Sequence, residues 1–120
     1  MRVRTVYAIR HNKTGRIYIG SSERVKWRIK DHLQTLRRHK CKNPLMQSDF
    51  DKYGEDYSFK KLDTISNQSE NWKEYYWMLY FRTIDEKFGY NYRDSHIKRC
   101  KFDDFKSIEY FLDYTPNKVQ

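Results

Sequence analysis

The sequence contains few cysteines, prolines and glycines, and it lacks a long hydrophobic run. Its 120 residues include two cysteines, two prolines and four glycines. Cys41 and Cys100 are far apart and match no zinc-binding spacing, which argues against a disulfide scaffold or a zinc finger. No apolar run approaches the roughly 20 residues of a membrane span, and the basic start is not followed by the apolar segment of a signal peptide. We therefore expect one cytoplasmic domain with reduced thiols and no membrane partner.

Acidic residues are scarce in the first third of the chain. Residues 1–43 contain 13 lysines and arginines against only Glu23 and Asp31, a balance of +11, whereas residues 44–120 have a balance of −2. A positive field concentrated in this way is typical of a surface that meets nucleic-acid phosphates. DNA is therefore the expected partner, which would make the protein nucleoid-associated. The alternative is a solvated basic surface without a partner.

The stretch from Val6 to Gly20 predicts the β-hairpin around which the chain is organised. Runs of β-branched and aromatic residues flank a polar connection in which Gly15 can adopt positive φ. Tyr7 and Tyr18 alternate with aliphatic neighbours, so a two-residue period assigns each phenol to a face of the sheet. The two rings are either core residues or functional groups. Gly20 ends the second strand, where a missing side chain lets a backbone or a ligand approach closely.

A basic amphipathic helix is predicted after the hairpin. Apolar residues recur at helical spacing over residues 25–36, and Ser21 or Ser22 can cap the helix. His32 falls within the apolar stripe and Arg28 at its edge, one turn apart, and both are predicted to face the sheet. Such a histidine is either a core residue or a functional one. The predicted nucleic-acid contacts are the basic residues Arg16, Arg24, Lys26, Lys30, Arg37 and Arg38.

Local signals also predict the elements of the second half. Asn43 and Pro44 open a helix that should stop at Gly54, because asparagine caps helices, proline suits the first helical position and glycine ends helices. The remaining predicted elements are a strand over 57–65, a strongly apolar helix over 69–85, a turn at 89–91 and an amphipathic helix over 102–114.

Glu74 lies in the apolar helix, one turn before Trp77 and Met78. A carboxylate among apolar side chains costs free energy unless a positive group meets it. Glu74 is therefore a candidate metal ligand or ion-pair partner, the alternative being an exposed position at the rim.

These features occur in the order of one nuclease family. The fragments are Val6-Tyr7, Tyr18-Ile19-Gly20-Ser21-Ser22, Arg28 and His32, Lys52-Tyr53-Gly54, Glu74-Tyr75-Tyr76-Trp77 and Gly89-Tyr90-Asn91. From about residue 3 to residue 92 the sequence resembles the GIY-YIG nuclease superfamily. It departs from the family pattern at Thr5, which replaces a glycine, and at Cys41, where many members have histidine. The five polar side chains of the site are all present, which favours an active enzyme.

The resemblance implies a fold, an activity and a domain arrangement. The fold class would be α/β (α+β), a small three-stranded antiparallel sheet flanked by helices, with an extra C-terminal helix. Residues 1–92 would form the nuclease domain and residues 93–120 a helical extension packed on it. The activity would be hydrolysis of phosphodiester bonds in double-stranded DNA, with Mg²⁺ or Mn²⁺ as cofactor. Because the extension is too short for a recognition domain, a homodimer or a targeting partner could supply specificity.

The resemblance also implies a role for each site residue. Glu74 would hold the cation with help from water and substrate phosphate, and Arg28 would bind the scissile phosphate. Tyr7 would be the general base, which requires a depressed pKa, while Tyr18 would position water or phosphate. Which of the two tyrosines is the base stays open. His32 would hold a tyrosine hydroxyl or accept its proton.

Gly20 and Asn91 would support the site from the end of the second strand and from the turn at 89–91. Two other functions fit the same residues: a catalytically inactive nucleic-acid-binding module, and a nuclease for branched DNA or RNA.

Overall fold

The computed structural model describes residues 3–91, which form a three-stranded sheet flanked by helices. The elements are β1 (Arg4–His11), β2 (Ile17–Ser22), α1 (Val25–Arg37), α2 (Pro44–Tyr53), β3 (Tyr57–Ile65) and α3 (Trp72–Tyr80). The fold class predicted for this part of the chain is confirmed. The helix predicted over 102–114 lies outside the described residues. No helix within residues 3–91 is long and apolar enough to cross a membrane.

The central strand of the antiparallel sheet is β1, with β2 on one side and β3 on the other. The predicted hairpin is confirmed: the His11 amide donates to the Arg16 carbonyl over 2.9 Å, and Gly15 adopts φ 78° in the connection. The register places Tyr7 opposite Gly20. The two strand segments that carry the tyrosines are therefore fixed side by side.

Alternation along β1 divides the core into two layers. Val6 and Ala8 pack with Tyr76 and Met78 of α3, whereas Tyr7 and Ile9 belong to a second cluster with residues of α1 and α2. One helix therefore covers one face of the sheet and two helices cover the other.

The third strand contains a β-bulge. Val6 lies opposite Asp63 and Tyr7 opposite Lys61, so Leu62 is the additional residue on β3. A bulge shifts the side-chain alternation by one residue. This shift explains why the apolar alternation of the strand looks interrupted in the sequence around Lys61.

Two helices differ from the predictions at their ends. Neither Ser21 nor Ser22 caps α1, whose N-cap is Arg24 without a side-chain hydrogen bond; Ser21 belongs to β2 instead. The apolar helix is shorter than the predicted 69–85, because a 3₁₀ turn occupies Gln68–Glu70 and Arg82 takes φ 57° just after the helix. Apolar residues continue in the sequence after that point, so the pattern does not show where the helix ends.

The ends of α2 are as predicted. The Asn43 side chain accepts a hydrogen bond from the Met46 amide over 3.0 Å, and Gly54 takes φ 85° at the C-terminus. Both signals are local chemistry that sequence alone can identify.

The segment after α3 is more than the predicted turn. Residues 88–91 run beside β2: the Ile17 amide donates to the Phe88 carbonyl, and the Tyr90 amide donates to the Ile17 carbonyl, each over 3.0 Å. Gly89 bridges Ile17 in parallel, and a Cβ at position 89 would lie 2.2 Å from the Thr83 Cα. The segment therefore covers the outer edge of β2, and only glycine fits at position 89, where the backbone passes close to Thr83.

Asp49 joins the hairpin, α2 and this segment. Its buried carboxylate accepts two hydrogen bonds from Arg16 Nη1, at 2.8 and 2.9 Å, and one from the Tyr90 hydroxyl at 2.6 Å. The Arg16 Nε–H also donates to the Glu86 carbonyl over 2.7 Å. Asp49 thus holds three separate parts of the chain together.

We predict that Asp49→Ala lowers the free energy of unfolding by about 3 kcal/mol, because removing one partner leaves the Arg16 charge uncompensated in a partly buried position. Urea denaturation measures the change. The matched variant Asp51→Ala removes an exposed carboxylate that pairs with His39 and should cost about 1 kcal/mol or less. Equal losses in the two variants would contradict the structural role of Asp49.

Candidate nuclease site

A cleft of about 380 Å³ opens between α1, α3 and the loop that precedes α2. Five of the residues predicted for the site line it: Tyr18, Arg28, His32, Glu74 and Asn91. They come from β2, α1, α3 and the segment after α3. The fold therefore brings together side chains that are widely separated in sequence.

Tyr7 lies beneath the cleft, with 1% of its surface exposed. Its hydroxyl is 3.2 Å from His32 Nε2, as expected for a histidine that holds a tyrosine hydroxyl. A Cβ at position 20 would lie 2.6 Å from the same hydroxyl oxygen. The close approach that Gly20 permits is thus the approach of the Tyr7 side chain, and any larger residue would displace it.

Three rings pack together on the floor of the cleft. The Tyr18 and His32 ring centroids are 5.0 Å apart, and Tyr7 lies 6.4 Å from Tyr18 and 6.3 Å from His32. Tyr18 is partly exposed and lines the cleft, whereas Tyr7 does not reach its surface. Of the two phenols, Tyr18 is the one placed to meet a ligand.

Burial favours the neutral forms of Tyr7 and His32 at the floor of the cleft. It raises the pKa of Tyr7 above its ordinary value, with the nearby Tyr18 adding to the rise and Arg28 opposing it. Burial, followed by the Arg28 charge, lowers the pKa of His32 to about 4. Near neutral pH, His32 is therefore an uncharged imidazole beside a protonated phenol. The depressed Tyr7 pKa that the sequence argument required is opposite to the direction found here.

Arg28 lies on the wall of the cleft with its side chain 50% exposed, and its guanidinium also lies close enough to the Tyr7 hydroxyl to oppose the rise in the pKa of that phenol. Its Nη1 donates to Asp31 Oδ2 over 3.3 Å, three residues along α1. Exposed pairs of this kind contribute about 1 kcal/mol or less. The guanidinium can therefore exchange this weak contact for a phosphate at little cost.

Glu74 is buried, with 7% of its surface exposed. The Ser21 hydroxyl donates to Glu74 Oε1 over 2.5 Å, and Arg4 Nη2 lies 3.6 Å from the same oxygen while donating to the Ser21 hydroxyl. A carboxylate among apolar side chains needs a positive group nearby, and Arg4, which the sequence pattern does not identify, is that group. The hairpin register pairs Val6 with Ser21, and Arg4, two residues before Val6, lies on the same face of the sheet as Val6. This register was the signal that could have identified the contact between Arg4 and Ser21.

Glu74 is suited to a single-carboxylate metal site. No group of three or more histidine, cysteine, aspartate or glutamate side chains is suitably placed for a metal within residues 3–91. Mg²⁺ is commonly bound through one or two carboxylates, several waters and substrate phosphates. A buried carboxylate in a cleft that Arg28 also lines fits that mode of binding.

Asn91 is bound to β2 between the site residues Tyr18 and Gly20. Its side chain accepts a hydrogen bond from the Ile19 amide over 2.8 Å and donates to the Ile19 carbonyl over 2.9 Å. The amide thus pairs with the strand as a neighbouring backbone would. This geometry suits the supporting role predicted for Asn91.

The predicted basic contacts divide into two groups. Arg16 is held by Asp49, and Arg37 forms a two-bond contact with Glu55 at 2.6 and 2.7 Å. The other four are exposed on or next to α1: Arg24, Lys26, Lys30 and Arg38. The geometry of Arg16 suits a structural role, so its contact with nucleic acid stays a prediction that the structure does not favour.

Lys40 and Lys42 also line the cleft, and the sequence argument did not single them out. They lie in the loop between α1 and α2, where no periodicity assigns a face. The only available signal was their place in the basic first third. They extend the positive wall of the cleft beyond Arg28.

Comparison with known proteins matches this chain to one family. The model of the GIY-YIG catalytic domain matches residues 4–91. Two solved structures of the catalytic domain of the homing endonuclease I-TevI, one of them a point mutant of that intron endonuclease, are similar to this fold with a TM-score of 0.67 each. They are 21% and 22% identical, covering 76% of this chain and 95% and 99% of theirs. A search of curated proteins gave no significant match.

The burial of His32 predicts a pH dependence of stability. Its pKa is lowered from 6.5 to about 4, so between these values the unfolded chain binds a proton that the folded protein does not. Stability should therefore fall as the pH drops through this window, by roughly 3 kcal/mol, and change no further from this group below it.

Urea denaturation between about pH 4 and pH 6.5 measures this loss. His32→Gln removes the titrating ring and should remove that part of the loss, whereas His39→Gln, at an exposed position, leaves it intact. An undiminished pH dependence in His32→Gln would refute the assignment.

Proposed function

Because this chain belongs to the GIY-YIG catalytic-domain family, we propose that it is an endonuclease that hydrolyses phosphodiester bonds in double-stranded DNA with the help of Mg²⁺. The observation that carries the proposal is the cleft itself, which Arg28, Glu74, His32 and Tyr18 line together. An anion-binding group, a hard metal ligand and a proton acceptor are the components that phosphodiester hydrolysis requires.

Arg28 is the proposed ligand of the scissile phosphate. Its planar fork can donate two parallel hydrogen bonds to phosphate oxygens, and its charge is permanent. Its present partner Asp31 is exposed and weakly bound at 3.3 Å. A phosphate in the cleft would therefore replace that contact, and the guanidinium would stabilise the negative charge that grows in the transition state.

Glu74 is the proposed ligand of the divalent cation, with Ser21 fixing the orientation of its carboxylate through the 2.5 Å hydrogen bond. Nucleases of this family generally depend on a divalent metal. When bound here, Mg²⁺ would stabilise charge on the phosphate and the leaving oxygen, and Mn²⁺ could replace it. Arg4, 3.6 Å from Glu74 Oε1, already offsets part of the charge of this carboxylate.

A phenol assisted by His32 is the proposed proton acceptor for the attacking water. Tyr18 lines the cleft and can contact water there, whereas Tyr7 is buried below it. His32 is uncharged near neutral pH because burial lowers its pKa, which makes it a weak base but a neutral hydrogen-bond partner for a phenol. Tyr18 would take the proton of water as a phenolate, after losing its own hydroxyl proton to solvent in the cleft. We therefore assign the contact with water to Tyr18, and assign to Tyr7 the positioning of His32 through the 3.2 Å contact.

The proposed path of the DNA backbone follows the basic wall of α1 and the loop after it. Arg24, Lys26, Lys30 and Arg38 are exposed there, and Lys40 and Lys42 continue the wall into the cleft. Such contacts position the duplex through its phosphates without reading its sequence. A second copy of the chain or a targeting partner would supply specificity, and residues 93–120 are proposed as a helical extension of the nuclease domain.

We predict that Glu74→Gln lowers the rate of plasmid cleavage at least about 100-fold, because it removes the charged metal ligand and keeps the size of the side chain. Wild type should nick or linearise plasmid with Mg²⁺ or Mn²⁺ and not with EDTA. Glu86→Gln removes an exposed carboxylate outside the cleft and should cleave like wild type.

Cleavage by Glu74→Gln at the wild-type rate, with the same metal requirement, would show that the ligand lies elsewhere. Tight, salt-dependent DNA binding by wild type without any cut of duplex, branched DNA or RNA would instead assign the chain as a catalytically inactive binding module.

The two tyrosines should respond differently to loss of the hydroxyl. We expect Tyr18→Phe to lower the single-turnover cleavage rate by about 100-fold or more, because it removes the group in contact with water, and Tyr7→Phe by about tenfold or less. Thermal unfolding of each variant verifies that it is folded. The opposite order of effects would identify Tyr7 as the general base.

A further inference from the structure

Trp27 is the most exposed of the large apolar side chains that the structure describes, with 71% of its surface accessible. It lies in the first turn of α1, two residues after its start. Among residues 3–91 no ring packs against it, whereas Trp77 is buried and Trp72 is partly buried. A single exposed ring is common on protein surfaces, so a binding role for Trp27 depends on what surrounds it.

The surroundings of Trp27 are strongly basic. Lys26 and Arg28 flank it in sequence, and Arg24 and Lys30 lie one turn before and after it. All four are exposed. A flat apolar ring framed by positive charges matches a nucleotide, which presents a flat base and a negative phosphate together.

Helix geometry places Trp27 at the rim of the cleft. Asp31, four residues later and therefore on the same side of α1, lines the cleft together with Arg28. Trp27 is thus next to the proposed phosphate ligand and one turn from the cleft wall. A nucleotide whose phosphate is bound by Arg28 would bring a neighbouring base within reach of the indole.

We propose that Trp27 stacks on an unpaired base next to the scissile phosphate, so that the preferred substrate is duplex DNA in which one base beside the cut is unstacked, as at a bulge. The proposal rests on the proposed nuclease function for its placement of the phosphate. A base inside an intact duplex already stacks on its neighbours, and the ring can bind it only after that stacking is lost. A base that is already extruded avoids this cost.

Binding to three DNA probes in EDTA, where no cleavage is expected, tests the proposal. The probes are an intact duplex, the same duplex with a one-nucleotide bulge, and the bulged duplex with an abasic nucleotide at the bulge. Wild type should bind the bulged duplex about 5- to 100-fold more tightly than the other two, the range expected for stacking on one base. Its tryptophan fluorescence should be quenched by the bulged probe alone.

Trp27→Leu should lose both the preference and the quenching, while its affinity for intact duplex stays within about twofold. Phe59→Leu is the matched control, because Phe59 is also an exposed ring, 43% accessible, but lies on β3 and lines a different groove. It should keep both effects. Trp27→Phe retains a smaller ring and should keep part of the preference.

Equal affinity of wild type for the three probes would overturn the proposal, as would unchanged preference in Trp27→Leu. A change of oligomeric state in Trp27→Leu, measured by light scattering, with unaltered DNA binding would assign the ring to a contact with another copy of the chain. Failure of the nuclease proposal would appear separately, as absence of cleavage with Mg²⁺ or Mn²⁺ while the binding preference persists.

Discussion

The contact of Tyr7 with Gly20 and His32 is the constraint on which the cleft depends. A phenol from the central strand lies where the neighbouring strand has no side chain, and its hydroxyl reaches the imidazole of α1 over 3.2 Å. Arg28 is carried by the same helix, one turn before His32. The packing of one ring between two strands and a helix therefore also sets the position of the guanidinium on the cleft wall.

Burial separates the charged and neutral groups of the site. It raises the pKa of Tyr7 and lowers the pKa of His32, and both changes favour the uncharged forms. Arg28 and Glu74 carry the charge on the walls, where the first meets solvent and the second is bound by Ser21 and Arg4. Near neutral pH the floor of the cleft is therefore uncharged, and the charged groups of the site lie on its walls.

Local chemistry made much of the fold predictable from sequence. The hairpin followed from alternation and Gly15, and α2 from Asn43 and Gly54. Helical spacing combined with the family resemblance identified the residues that meet in the cleft. Side-chain pairs between distant segments could not be read in the same way, which is why the Arg4 contact with Glu74 was missed. The depth of burial could not be predicted either, because alternation assigns Tyr7 to a face of the sheet but does not show how far below the surface it lies.

The bulge in β3 also affects whether the sheet edges of two molecules can pair. Residues 88–91 cover the edge of β2, and in the described part of the chain the outer edge of β3 pairs with no strand. An open edge can template pairing with another chain unless charge or irregular geometry blunts it. Here Lys60 and Lys61 are exposed next to the extra residue Leu62. The two charges and the bulge therefore oppose pairing of this edge with the sheet of a second copy.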